Sequence, residues 1–314
     1  MVVRLVIGLG ATVIALAFAG RRAWWLYRLI SSGQPVRGRL DGVGERLKIE
    51  LGEVIGQRRL LRWSVPGLAH AFTFWGFLVL GLTILEAYGA LFDKNFAIWW
   101  IGHWRVLGFF EDFFAVAVLL GLATFTVLRI RQAPERLKRN SRFYGSHTGP
   151  AWRILGMIFL VILTLLIYRG AQVNTGVFPY DHSPWAFASW LVAKPLAPLG
   201  TSANEVIETV FILAQIIVIM VFAVFVTYSK HLHIGLAPIN VATKRQPQGL
   251  GPLLPIESHG KPVNFEDPGD DDVFGKGKIE DFTWKGMLDF ATCTECGRCQ
   301  SQCPAWNTGK PLSP

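Results

Sequence analysis

Hydrophobic residues fall into five long runs that are separated by polar segments. The runs cover residues 2–20, 65–92, 98–128, 154–171 and 205–228. A helix needs about 20 apolar residues to cross the hydrocarbon core of a bilayer, so the runs are long enough to span it. Hydrophobic residues make up 51% of the chain, as in membrane proteins. The pattern predicts an all-α integral membrane bundle of five transmembrane helices.

Basic residues predict how these helices are oriented. The segments after the first and third runs are rich in Arg and Lys, whereas the other two connections hold few basic residues, such as Lys94 and Lys194. Because basic loops stay on the cytoplasmic side, we expect the N-terminus outside and the C-terminus inside the plasma membrane. These loops also account for the net charge of +9, so no nucleic-acid partner is needed to explain it.

The composition changes after the fifth run and indicates two further segments. Residues that follow the bundle are rich in Pro, Gly and Asp, which is typical of a linker. We therefore expect a membrane domain over residues 1–236, a cytoplasmic linker over 237–285, and the first half of a ferredoxin-like domain over 286–314.

Four cysteines near the end of the chain form an iron–sulfur motif. Cys293, Cys296, Cys299 and Cys303 precede Pro304 with the spacing C-x₂-C-x₂-C-x₃-C-P, the run by which bacterial ferredoxins hold [4Fe–4S] clusters. In two-cluster ferredoxins the fourth cysteine ligates the other cluster, so we expect Cys303 to reach a second one. A zinc site or disulfides fit this spacing and the expected cytoplasmic side less well. No second cysteine run follows, and we expect the chain to be part of a longer protein.

Histidines at two helix ends suggest a haem site. His70 lies early in the second run, and His231 and His233 lie at the end of the fifth. Their depths from the cytoplasmic side agree to within about 10 Å. Two histidines on different helices can ligate a b-type haem on its two axial faces. The alternative is that they are interfacial side chains at helix ends. We expect His231 and His233 to point to opposite sides, with one of them facing the bundle.

Three acidic residues lie in or near the predicted spans. Glu86, Glu111 and Asp112 either belong to a quinone or proton site or are helix-end carboxylates that face water.

The end of the fifth run resembles the nitrate reductase gamma subunit. The similarity lies in Ser229-Lys230-His231-Leu232-His233-Ile234 and the Pro238 that follows. The resemblance implies that His233, rather than His231, ligates a haem b together with His70. It also implies a single haem, because Leu80 and Gln215 occupy the positions of the second haem's ligands.

The whole chain resembles membrane-bound iron–sulfur reductases related to heterodisulfide reductase, in particular the actinobacterial electron-transfer-flavoprotein:menaquinone oxidoreductases. The matching segments are residues 142–149, 229–234, 275–286 and 293–314. The resemblance implies that electron transfer flavoprotein, reduced in fatty-acid β-oxidation, delivers electrons to the [4Fe–4S] clusters. The electrons would then pass through the haem to menaquinone. Two alternatives stay open: a heterodisulfide- or sulfite-reductase-type conduit or organic-acid dehydrogenase relay with another donor, and a non-catalytic membrane anchor.

Overall fold

The computed structural model describes residues 2–180, 184–246 and 255–312. Pro314, where the predicted ferredoxin-like segment ends, lies outside this part of the chain. Within it, five helices are long and apolar enough to cross a membrane, which confirms the predicted number. The chain is thus a multi-pass, predominantly helical protein. Its helices are α1 Val2–Ser31, α2 Val43–Glu50, α3 Ser64–Phe92, α4 Arg105–Arg131, α5 Pro134–Leu137, α6 Thr148–Thr175, α7 Phe187–Leu196, α8 Thr201–Val226, α9 His233–Ala242, α10 Trp284–Thr292, α11 Arg298–Gln302 and α12 Pro304–Asn307.

Several helix boundaries differ from those of the apolar runs, and the end of α1 and the start of α4 differ most. Helix α4 begins at Arg105 rather than at residue 98, because Trp100 has a positive φ of 63° and Trp104 is extended. Helix α1 continues through Arg21 to Ser31, since long basic side chains can stay helical while their charged ends reach water.

The chain divides into two compact units, and each is described by itself. The first comprises Met1–Phe18, Leu60–Phe225 and Gly297–Pro314, as far as these are described. Its core consists of apolar side chains from α3, α4, α6, α7 and α8, among them Leu91, Val118, Leu165 and Ile212. Helices α3 and α4 approach closely because both offer small residues. A Cβ on Gly76 would lie 2.5 Å from Val118 Cγ2, so a side chain there would push the helices apart.

The second unit comprises Ala19–Arg59 and Val226–Cys296. It contains α2, α9, α10 and a short antiparallel pair, β1 Glu257–Ser258 and β2 Lys261–Pro262. Arg46 on α2 is buried and organises this unit through backbone carbonyls. Its guanidinium donates to the carbonyls of Gly38, Asp41, Ala242 and Lys244 at 2.6 to 2.9 Å. The Ala242 carbonyl belongs to the last residue of α9 and the Lys244 carbonyl lies two residues beyond it, where a cation also interacts favourably with the helix dipole.

Candidate functional site

The first half of the cysteine motif belongs to the second unit. Cys293 directly follows α10, and both Cys293 and Cys296 are exposed thiols that form no disulfide. Between them Glu295 adopts a positive φ of 52°, which turns the chain sharply. The Glu295 amide lies 3.5 Å from Cys293 Sγ as a donor. Hydrogen bonds to sulfur are one of the means by which proteins tune iron–sulfur clusters.

The histidine segment is linked to this half of the motif. Lys230, next to His231, forms a 2.8 Å ion pair with Glu295 in the cysteine loop. Helix α9, which begins at His233, packs on α10, which ends before Cys293. Asn240 of α9 donates to Thr292 at 3.0 Å and accepts from Lys285 of α10 at 2.8 Å. Within one compact unit, polar contacts therefore join the predicted haem-ligand segment to the first two predicted cluster ligands.

The second half of the motif belongs to the first unit. Cys299 lies in α11 and Cys303 between α11 and α12; Cys299 is exposed and Cys303 is half-buried. Gly297 has a φ of 76°, and a Cβ there would lie 1.8 Å from the Arg142 carbonyl, so only glycine fits. Gln300 donates to the Tyr144 carbonyl at 3.2 Å. Residues 142–144 therefore support the helix that carries Cys299.

Further contacts from the same loop hold α12. Tyr144 packs on Trp306 with ring centroids 5.5 Å apart, and the Arg139 guanidinium lies 4.0 Å from the Trp306 ring centroid. Such cation–π contacts are typical of Arg over Trp. Residues 142–149 match the related reductases in sequence, and these contacts show that the segment supports the helices around Cys303.

The thiols fit an iron–sulfur cluster in chemistry. None of the four forms a disulfide, as ligation of a cluster requires. Among the residues that the structure describes, no three His, Cys, Asp or Glu side chains lie close enough to share a metal ion. The assignment of Cys293, Cys296, Cys299 and Cys303 to clusters therefore stays a prediction.

The histidines are placed in two different units. His70 is half-buried in α3 of the first unit, whereas His231 and His233 are half-buried in the second. The rings of His231 and His233 do not diverge as expected. Their centroids are only 5.4 Å apart, because residues 230–232 form a 3₁₀ turn before α9 begins.

The Nδ1 atom of His233 is oriented by a backbone carbonyl, as is common for histidines that ligate a metal through Nε2. Its Nδ1 lies 3.2 Å from the Lys230 carbonyl, which can only accept, so Nδ1 carries the hydrogen and Nε2 keeps its lone pair. Burial lowers the pKa of His233 below its ordinary value, with an opposing effect from the Lys230 carbonyl. The imidazole is therefore neutral at neutral pH, as ligation requires.

The positions expected for a second haem are occupied by packed side chains. Leu80 belongs to the hydrophobic core, and the buried Gln215 oxygen accepts a hydrogen bond from Thr164. Neither residue fits an axial ligand.

The three acidic residues of the spans meet around Arg169, and we call this group the Arg169 cluster: Glu86, Glu111, Asp112, Tyr168, Arg169, Tyr180 and Ser189. Arg169 Nη1 donates to Glu111 Oε2 at 2.9 Å and to Glu86 Oε2 at 3.2 Å. Arg169 Nε lies 3.8 Å from Asp112 Oδ1. The three carboxyl groups are therefore buried around one cation and do not face water, which overturns the helix-end alternative.

Neighbouring small residues allow the cluster to close. A Cβ on Gly108 would lie 2.9 Å from the Tyr180 ring, so glycine lets Tyr180 reach Glu86, whose Oε1 accepts from the tyrosine hydroxyl at 2.7 Å. Gly170 similarly lets α7 approach α6, and α7 supplies Ser189. No sequence motif marks Arg169 or Tyr180 as a site residue.

A cleft of about 870 Å³ lies in the second unit, apart from the predicted ligands. Its charged lining is mixed and has no single sign that would select a charged ligand: Arg37, Arg39, Arg245, Lys276, Asp41, Glu257 and Asp281.

Comparison with known proteins finds three curated relatives. The chain is 27% identical over 300 residues to the EtfAB:quinone oxidoreductase of Syntrophomonas wolfei, which covers 91% of this chain and 38% of the relative. It is 30% identical over 277 residues to the probable iron-sulfur-binding oxidoreductase FadF of Bacillus subtilis, with 86% and 36% coverage. It is 27% identical over 307 residues to a probable membrane-anchored ferredoxin of Chromohalobacter salexigens, with 96% and 39% coverage.

These relatives support a relationship to membrane iron–sulfur oxidoreductases. The chain spans only 36% to 39% of their lengths. No family model matches the chain, and no solved structure matches it. The predicted likeness to the nitrate reductase gamma subunit stays a prediction.

Proposed function

We propose that the chain is the membrane part and electron-entry segment of an iron–sulfur oxidoreductase that reduces a quinone. Electron transfer flavoprotein is the proposed donor, menaquinone the proposed acceptor, and the cytoplasmic side the proposed docking face. The names of the relatives, which include a quinone oxidoreductase and an iron-sulfur-binding oxidoreductase, support this proposal.

One structural observation carries the proposal. The Lys230–Glu295 ion pair and the α9–α10 contacts join the histidine segment to the cysteine loop in one compact unit. An electron relay needs its cofactors held at a fixed, short separation, and the protein supplies this spacing. A simple anchor would not require these two segments to pack on each other.

The residues divide into two proposed ligand sets. Cys293, Cys296 and Cys299 would hold one [4Fe–4S] cluster, and Cys303 would reach a second. The two clusters would supply one-electron transfer. His70 and His233 would hold one haem b. The hydrogen bond from His233 Nδ1 to the Lys230 carbonyl fixes the orientation of the imidazole ring. This supports His233, rather than His231, as the haem ligand.

The testing experiment uses the protein purified anaerobically from its native membrane. Iron, acid-labile sulfide and haem are quantified, and a dithionite-reduced minus air-oxidised spectrum is recorded. We expect a b-type α-band that His70→Ala and His233→Ala abolish and that the matched control His231→Ala retains. An α-band lost only in His231→Ala would reverse the ligand assignment.

The clusters are tested on the same preparations. Cys296→Ser should remove the cluster signal and leave the haem band. If both signals disappear together, the two sites fold as one unit and the separate ligand sets are wrong. Protein without iron, sulfide or haem would favour the non-catalytic anchor.

The donor is tested by mixing the protein with reduced electron transfer flavoprotein and a menaquinone analogue. Flavoprotein oxidation that requires the quinone supports the proposed reaction. Reduction of the quinone only by another donor would favour the heterodisulfide- or sulfite-reductase-type alternative.

A further inference from the structure

The Arg169 cluster contains buried polar atoms that have no hydrogen-bond partner of normal geometry. Within the described residues, Glu111 Oε1, Tyr168 OH and Arg169 Nη2 make no hydrogen bond of normal length and angle, although Tyr168 still interacts with Arg169 and Glu111 with Tyr180. These residues are only 1% to 2% exposed. Nearly all buried polar groups in proteins are hydrogen-bonded, and leaving one unpaired is costly. Three such atoms in one cluster indicate that it binds something small and polar.

The acidic residues differ in how their oxygens are occupied. Both oxygens of Asp112 accept from Ser189, one from its amide and one from its hydroxyl, each at 2.8 Å. Both oxygens of Glu86 also accept, from Tyr180 and Arg169. A carboxyl group that accepts at both oxygens is suited to the ionised form.

Glu111 is different because only one of its oxygens is occupied. Oε2 accepts from Arg169, whereas Oε1 is open. A protonated carboxyl group carries its hydrogen on one oxygen and accepts on the other, so Oε1 of Glu111 is the position in the cluster where a proton fits.

The charge balance points the same way. Three carboxyl groups face one guanidinium, and Tyr168 and Tyr180 are the other titratable groups that interact with this cluster. If every carboxyl group were ionised, two negative charges would be uncompensated inside a membrane-spanning bundle, where unpaired charge is strongly disfavoured. Protonation of one carboxyl group reduces the uncompensated charge from two to one.

We propose that the Arg169 cluster is a proton-binding site in which Glu111 carries an exchangeable proton on Oε1, and a buried water links that proton to Tyr168 and Arg169. Glu86 and Arg169 each lie six residues before the end of their helix, about 9 Å from it. The site is therefore within reach of water at that end of the bundle.

The use of this proton rests on the proposed function. Quinone reduction takes two electrons and two protons, Q + 2 e⁻ + 2 H⁺ → QH₂, and the reduced flavoprotein supplies the electrons. Glu111 would supply one of the two protons as an O–H bond of the quinol forms, Arg169 would stabilise the carboxylate that remains, and the second proton would come from water at the same end of the bundle. Water at the end of the bundle would then restore the proton to Glu111.

Infrared spectroscopy of the purified protein in H₂O and D₂O at neutral pH tests the proton directly. We expect a carboxylic-acid C=O band that shifts in D₂O. Glu111→Gln should remove it, whereas Glu86→Gln and Asp112→Asn should retain it, because those residues are assigned the ionised form. Glu208→Gln controls for the other buried glutamate of the first unit. A wild-type spectrum without an exchange-sensitive band, or a band that survives in Glu111→Gln, would overturn the proposal.

Tyr168→Phe provides a second test that does not depend on folding of the charge variants. It removes one hydroxyl and keeps the ring, so the band should stay but change frequency. An unchanged frequency would overturn the link to Tyr168. Both measurements need neither iron nor haem, so a negative result here leaves the proposed reductase function standing, and the reverse also holds.

Discussion

Two buried arginines stabilise the two units in different ways. Arg169 in the first unit is surrounded by carboxyl groups, whereas Arg46 in the second binds only backbone carbonyls. Both are nearly inaccessible, at 1% and 6% exposure. Carbonyls cannot change their charge, but carboxyl groups can gain or lose a proton. Burial of an arginine therefore does not by itself mark a functional site. The chemistry of the groups that it binds is what distinguishes Arg169 from Arg46.

The largest expected effect is that of Arg169→Gln. It leaves Glu86 and Asp112 buried without a cation, and breaking a buried ion pair in this way costs about 3–5 kcal/mol. Denaturant unfolding in detergent would measure the loss in the free energy of unfolding. Glu111→Gln is the matched control and should cost much less, because the glutamine resembles the neutral acid. Equal losses in the two variants would mean that Glu111 is ionised.

Arg46→Gln should have the next largest effect. It leaves four carbonyls without their donor, and the loss of hydrogen bonds from a charged group costs roughly 2–3 kcal/mol. The rate of amide hydrogen exchange around the end of α9 should rise, since the Ala242 and Lys244 carbonyls lie at that end and just beyond it.

Lysine substitution sharpens the difference between the two sites. Arg169→Lys keeps the positive charge and should recover part of the stability lost in Arg169→Gln. Arg46→Lys should recover little, because an ammonium group does not have the planar fork that reaches four carbonyls. Recovery at residue 46 equal to that at residue 169 would show that charge, rather than geometry, is what Arg46 provides.

The sequence predicts some of these features and not others for a physical reason. Apolar runs determine local helix formation, so all five spans were predictable. The acidic residues were noticeable because charge is rare inside a span. Arg169 lies 58 and 83 residues from Glu111 and Glu86, and only packing of α4 against both α3 and α6 brings them together.

The link between the proposed ligand segments was equally hidden. Lys230 and Glu295 are separated by 65 positions, and neither is a predicted ligand. The cysteine spacing is readable because ligands of one cluster lie close in sequence. The start of α4 was misplaced because Trp100 is apolar enough to extend the run, while its positive φ interrupts the helix.

Ser189→Ala tests a smaller part of the contrast. The Ser189 hydroxyl accepts from Arg169 Nε at 3.1 Å and donates to Asp112 at 2.8 Å, so its loss should cost about 1 kcal/mol. The matched control is Ser32→Ala, where the hydroxyl is exposed and bonds only the Leu29 carbonyl. Thermal unfolding of both variants would measure the difference. If Ser32→Ala loses as much stability as Ser189→Ala, the hydrogen bonds of the Ser189 hydroxyl to Arg169 and Asp112 add nothing to the stability.

The smallest expected effect concerns Glu50, at the end of the helix that carries Arg46. Burial raises the pKa of Glu50 above its ordinary value, Lys244 opposes this, and Glu53 adds to it. A raised folded-state pKa means that the folded state holds the proton more tightly than the unfolded chain. The stability from this group is therefore present below the unfolded-state pKa and is lost as the pH rises through the folded-state pKa.

Glu50→Gln removes this titration, so the variant should gain stability relative to the wild type as the pH rises through that window. Glu45→Gln, on the exposed side of the same helix, is the control for replacing a carboxylate by an amide. Unfolding midpoints at several mildly acidic pH values would measure both. If Glu50→Gln parallels the wild type at every pH, Glu50 contributes no proton linkage. The second unit would then be held by Arg46 and its carbonyls with a stability independent of that carboxyl group, whereas the Arg169 cluster should still respond to protonation.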